Sequence, residues 1–150
     1  MPTFQPLQQV LADATGRSNM VADCVRLIDG QVASKSGLSG VAIKGAYKVV
    51  KGLKPTFVSE AVSSLLDEFA DKLQPLADEA HQNDKDIVAF FESNRSRVAE
   101  ALLAITDQRA EKQSGGVAKS TYQKLRPTAK KHVEDAVPEI GRLVAKFIAK

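Results

Sequence analysis

The chain has 150 residues, 43% hydrophobic and 26% charged, ordinary values that exclude the collagen-like, disordered and disulfide-framework classes. A lone cysteine, Cys24, permits no internal disulfide, so the core must hold by packing alone and the expected home is a reducing one, the cytoplasm. The net charge of +3 conceals an acidic middle, −7 over residues 60–111, between +4 over 1–59 and +6 over 112–150; this distribution speaks to association, or to attraction between ends and middle, rather than to fold.

Apolar residues spaced by three and four, few aromatics and no alternating run predict an all-helical protein of about eight helices. The first spans Gln5 to Ala14, with Leu7, Val10, Leu11 and Ala14 on one face and Thr15-Gly16 as its stop. The second follows a capping Ser18 to about Lys35 and buries Val21, Val25, Leu27, Ile28 and Val32. A third, from Val41 to about Lys51, turns Val41, Ile43, Ala46, Val49 and Val50 inward and sets Lys44, Lys48 and Lys51 along an outer stripe. Thr56 caps a fourth reaching Leu73, where Pro75 breaks or kinks it. Residues 74–86, polar from Asp78 to Asp86, read as a connector, followed by a short helix with Ile87, Val88, Phe90 and Phe91. Helices from Arg97 to Lys112, Val117 to Leu125 and Thr128 to Lys150 complete the chain, the last kinked at Pro138 with Ile140, Leu143, Val144, Phe147 and Ile148 on its inner face.

The chain also resembles itself. Residues 21–35, VADCVRLIDGQVASK, align with 98–112, VAEALLAITDQRAEK, with six identities in 15 where average usage gives about one. Next, GVAIKGAYK at 40–48 meets GVAKSTYQK at 116–124 once Ile43 is skipped, LKPT at 53–56 meets LRPT at 125–128, and VSEAV at 58–62 meets VEDAV at 133–137. Four ordered blocks predict one domain made by internal duplication of a three-helix unit, repeat 1 about 18–73 and repeat 2 about 96–150, packed with approximate twofold pseudo-symmetry. The stretch SKSGLSGVAIKGAYKVVKGLKPTFV, with ALLAITDQRAEK, resembles a family of small bacterial all-helical proteins known as a domain of unknown function. The resemblance covers nearly the whole chain and implies no chemistry and no catalytic residue.

Residues 31–44, QVASKSGLSGVAIK, have the spacing of a helix-turn-helix, which would direct Ser39, Lys44 and Lys48 outward toward phosphates. Gly40 and Gly45 suit a recognition helix poorly, and no Arg, Asn or Gln stands there to read base edges. Basic stripes comprise Lys44, Lys48, Lys51 and Lys54, and in the second copy Lys119, Lys124, Arg126, Lys130 and Lys131; as contact surfaces they suit a protein partner, an anionic polymer or anionic lipid. A solvated helix face is the alternative reading of both stripes.

Enzymatic patterns fail individually. GVAIKG at 40–45 has glycines spaced as in a phosphate loop, but Ala46-Tyr47 stand where Lys and Ser/Thr are needed. NDKDIV at 83–88 lacks the glycine of a calcium loop, and His81, His132 and Cys24 share no ligand spacing. No catalytic, cofactor or metal residue is therefore assigned. The start, MPTFQPLQQV, lacks the basic and apolar regions of an export signal, and no run of about 18 apolar residues could span a membrane. The expected protein is a non-enzymatic interaction or scaffold protein, with nucleic-acid binding through residues 31–48 and peripheral binding to anionic membrane, there through the C-terminal amphipathic helix, as the alternatives.

Overall fold

The computed structural model describes residues 4–35, 37–112 and 116–149. They are all-helical, with seven helices: α1 (Leu7–Ala12), α2 (Ala14–Ser34), α3 (Gly37–Leu53), α4 (Phe57–Gln82), α5 (Ile87–Ser93), α6 (Arg95–Lys112) and α7 (Gly116–Ile148). The packing divides into two compact units, one of Gln8–Asp67 and one of Met1–Leu7 with Glu68–Lys150; the boundaries fall inside α1 and α4.

In the Gln8–Asp67 unit the first helix ends at Ala12, and Asp13, not Ser18, is the N-cap of α2: its backbone is extended and its carboxylate accepts from Gly16 N at 2.8 Å. Thr15-Gly16 thus begins a helix instead of stopping one. Gly16 is required by proximity, since a Cβ there would meet the Val10 carbonyl oxygen at 2.4 Å. Arg17 then ties α2 to α4, donating to both Asp67 carboxylate oxygens (3.2 and 3.1 Å) and to the Ser63 carbonyl (2.8 Å). Between α2 and α3 the chain reopens at Gly37, whose φ of +75° is left-handed and costs glycine little. The core of this unit is Val10, Leu11, Met20, Val62 and Leu66. In α2 only Met20 is buried; the expected core residues Val21, Val25, Leu27, Ile28 and Val32 are half-buried.

The larger unit holds the dense core. Phe91, Val98, Ile105, Val137, Val144 and Ile148 are its largest fully buried side chains, contributed by α5, α6 and α7. Helix α7 packs against both α5 and α6, and at Gly141 it passes so close to α5 that a Cβ would stand 3.3 Å from the Val88 Cα and 3.4 Å from the Phe91 Cβ. Asp86 caps α5 by accepting from Ala89 N at 3.0 Å, and Asp84 makes the preceding turn at φ +52°. The N-terminal segment satisfies carbonyls that the end of α7 leaves open. Gln5 N donates to the Ile148 oxygen at 2.8 Å and Gln5 Nε2 to the Phe147 oxygen at 3.2 Å, while the Phe4 ring stacks on His81 at 3.7 Å.

Proline governs two departures from the sequence expectation. Pro75 lies inside α4, which continues to Gln82, so the connector contracts to residues 83–86. Pro127 and Pro138 both lie inside α7, so the helices expected over Val117–Leu125 and Thr128–Lys150 are one. The two Leu-basic-Pro-Thr segments therefore differ: LKPT separates α3 from α4, whereas LRPT is helical. A residue before proline is biased away from the helical region. Arg126 is held in it by anchorage to α6, while Lys54 reaches only the local Glu60, at 2.8 Å.

Candidate interaction surface

Helix α3 was expected to turn its valines inward; it turns them outward. Val41 is 70%, Val49 61% and Leu53 82% exposed, and Ala46 is exposed as well. Ile43 and Tyr47, on the opposite side, are the half-buried positions facing α2, and the side chain of Val50 lies outside the described residues. The spacing explains the result. At about 100° per residue, Val41, Gly45, Val49 and Leu53 drift around the helix by only about 40° per step, forming one continuous apolar arc. A second apolar position, Ile43, serves the contact with α2, so α3 is apolar on two sides while α2 covers one. Phe57, at the start of α4, is also half exposed.

The ten basic or polar residues singled out by sequence behave differently from one another. On α3, Lys44 and Lys48 are exposed and form no ion pair among the described residues. Lys51 lies 3.3 Å from Asp29 Oδ1 and 5.2 Å from the Tyr47 ring centre. Lys54 pairs with Glu60. On α7, Lys124 and Lys131 are exposed, but Arg126 donates through Nε to Asp107 Oδ1 at 2.8 Å and through Nη2 to Asp107 Oδ2 and Glu100 Oε2, both at 2.9 Å. Lys130 adds a 2.9 Å pair to Glu100. The side chains of Ser39 and Lys119 lie outside the described residues. Arg126 and Lys130 are thus structural cations, whereas Lys44 and Lys48 on α3 are unpaired among the described residues.

Two tyrosines clasp neighbouring helices. Tyr47 on α3 donates to Asp29 on α2, and Lys51, four residues on, joins the same carboxylate. Tyr122 on α7 donates to Asp107 on α6 at 2.6 Å, with Thr106 Oγ1 also at 2.6 Å, and Arg126, four residues on, joins that carboxylate. Burial and the adjacent carboxylate push the Tyr47 phenol up to about 12 and raise that of Tyr122, and both aspartates are held below the usual carboxylate range, Asp29 chiefly by Tyr47 and Asp107 chiefly by Arg126. Arg126 and Lys130 together hold Glu100 at about 2. The i, i+4 spacing of Tyr and base was visible in the sequence; the aspartate that joins them was not.

Other candidate chemistry is thin. Among the described residues no three His, Cys, Asp or Glu side chains gather where they could hold a metal ion, and no helix is long and apolar enough to cross a membrane. Cys24 is half-buried, and burial pushes its thiol up to about 11, away from the nucleophilic thiolate at neutral pH. An open groove of about 780 Å³ between α2 and α4 is lined by Arg17, Val21, Val25 and Arg26 with Glu60 as its carboxylate. A second, of about 470 Å³ between α4 and α6, has Glu100 as its carboxylate, already engaged by Arg126 and Lys130. His132 buries both ring nitrogens without a hydrogen-bond partner among the described residues.

A family model described as a family of unknown function, DUF6918, matches residues 7–148, and the chain belongs to that family. No curated protein and no solved structure matches it.

Proposed function

We propose that this is a non-enzymatic helical interaction protein whose contact surface is the outer face of α3. The single observation that carries the reading is the exposure of Val41, Val49 and Leu53 beside the exposed Lys44 and Lys48. Monomeric proteins scatter exposed apolar residues singly; a run of them along one helix marks a place where something binds. Nucleic-acid binding by α2 and α3, joined by only Lys35 and Ser36, would use Lys44 and Lys48 but gives the valines and Leu53 no role.

The same reading takes the chain as two copies of one unit. What supports it, beyond the four aligned blocks, is the repeated clasp: Tyr47 and Lys51 on Asp29, Tyr122 and Arg126 on Asp107. In the alignment Asp29 falls on Thr106, which also touches its tyrosine, and Tyr47 falls on Tyr122. The basic second-copy segment, with its cations turned to Glu100 and Asp107, then keeps the clasp without the contact surface.

A photo-crosslinking amino acid placed at Val49 or Leu53 tests the surface in cells that express the protein. Adducts to a macromolecule or lipid are expected from both positions and not from Gln108, exposed on α6. Absence of adducts at both α3 positions would contradict the reading.

A further inference from the structure

We infer that the outer face of α3 docks on an anionic lipid bilayer, with the helix lying in the plane of the headgroups. The inference rests on α3 being the contact surface and names what covers it. Residues 30–59 contain five lysines and no aspartate or glutamate, in a chain with 18 acidic residues. Asp29 and Glu60 bracket that stretch, and each is occupied by a lysine, Lys51 and Lys54. The partner of this segment is therefore anionic.

The apolar arc decides which anion. Lys44 and Lys48, four residues apart, stand along one border of the arc formed by Val41, Val49 and Leu53. A bilayer accepts both parts at once: apolar side chains enter the boundary of acyl chains and headgroups, while lysine stems run along the border and leave their ammonium groups among the phosphates. A duplex would meet the lysines but press the valines and Leu53 against phosphate and water. A second copy would satisfy the apolar arc alone. Antiparallel pairing of two such faces brings the lysine rows side by side, and parallel pairing offers them no carboxylate, since the segment contains none. Leu53 and Phe57, 82% and 50% exposed, extend the apolar surface past the end of α3.

Flotation of the full chain with vesicles tests this directly, using phosphatidylcholine alone and phosphatidylcholine containing roughly a third phosphatidylglycerol. The chain should float with the anionic vesicles and remain behind with the neutral ones. K44Q should lower the partition about fivefold and K44Q/K48Q about twenty-five-fold, the effect expected for one and two lysines near an anionic surface. Because Leu53 is almost fully exposed, L53D should abolish flotation while leaving the helical circular dichroism unchanged, and L53S should weaken it in the same direction. Failure to float with anionic vesicles overturns the inference, as does flotation unaffected by L53D. If flotation fails but L53D converts a dimer to a monomer, or crosslinks at Val49 lead to a protein, the surface stands and its lipid assignment falls. A salt-sensitive shift of duplex DNA that depends on Lys44 and Lys48 but ignores Leu53 would likewise overturn it.

Discussion

Replacing Arg126 by glutamine removes the group that joins α7 to α6 at two carboxylates. The Arg126 side chain is 28% exposed, and its guanidinium grips Asp107 at 2.8 and 2.9 Å and reaches Glu100 at 2.9 Å. Exposed ion pairs contribute about 0.2–1 kcal/mol each, and the two-pronged, charge-assisted grip on Asp107 lies toward or above the top of that range. Asp107 keeps Tyr122, and Glu100, 46% exposed and screened by solvent, keeps Lys130, so the loss should total about 1–2 kcal/mol. With a urea dependence of about 1–3 kcal/mol per molar, the unfolding midpoint should fall by roughly half a molar to one molar at neutral pH. Both carboxylates titrate below their ordinary values in the folded protein, Glu100 at about 2. Their contribution is therefore complete above the unfolded value near pH 4 and disappears as pH falls through the folded one. Urea titrations followed by circular dichroism should show the wild-type and R126Q midpoints converging as pH is lowered from about 4 to about 2. R126K, which retains charge but not the planar fork, should recover only part of the loss. Equal midpoints at neutral pH, or a gap that persists unchanged in acid, would refute the role given to this cluster.

F91A empties the centre of the α5–α7 contact, where the ring is fully buried, and should cost about 3–5 kcal/mol in urea unfolding; a loss under about 1 kcal/mol would place the core elsewhere. In Y122F the remaining tyrosine, Tyr47, should ionise near 12 when followed by ultraviolet absorbance, and an ordinary midpoint near 10 in protein still helical by circular dichroism would dissolve the Tyr47–Asp29 contact. H132L removes two buried ring nitrogens that have no partner among the described residues and should raise stability by up to about 1 kcal/mol; a lowered urea midpoint would mean that the imidazole has a partner.

The fold class was legible because helical spacing survives whatever the helices pack against, and α6 begins within two residues of its expected start. The inner face of α7 was legible for the same reason: Val144, Phe147 and Ile148 are buried. Apolar periodicity, however, reports that a face is apolar and not that anything in the same chain covers it, which is why Val41 and Val49 were expected inside. Local breakers misled where distant contacts outweigh them. Gly16 reads as a stop, yet serves the approach to Val10; Pro127 reads as a turn, yet lies in a helix whose preceding residue, Arg126, is anchored on α6. The basic stripes could be listed from sequence but not sorted. Whether a lysine is unpaired among the described residues, as Lys44 is, or bound, as Lys130 is to Glu100, depends on carboxylates brought in from other helices.

The most direct test of α3 as a lipid-docking surface is a fluorophore scan. In protein whose Cys24 is replaced by serine, an environment-sensitive dye is attached to single cysteines at positions 41, 45, 49 and 53, and at 43 and 108 for comparison. On addition of anionic vesicles, dyes at 41, 45, 49 and 53 should shift to the blue together, while those at 43, toward α2, and 108, on α6, keep their spectra. Spectra that stay unchanged along α3, or that shift equally at every position, would contradict the account.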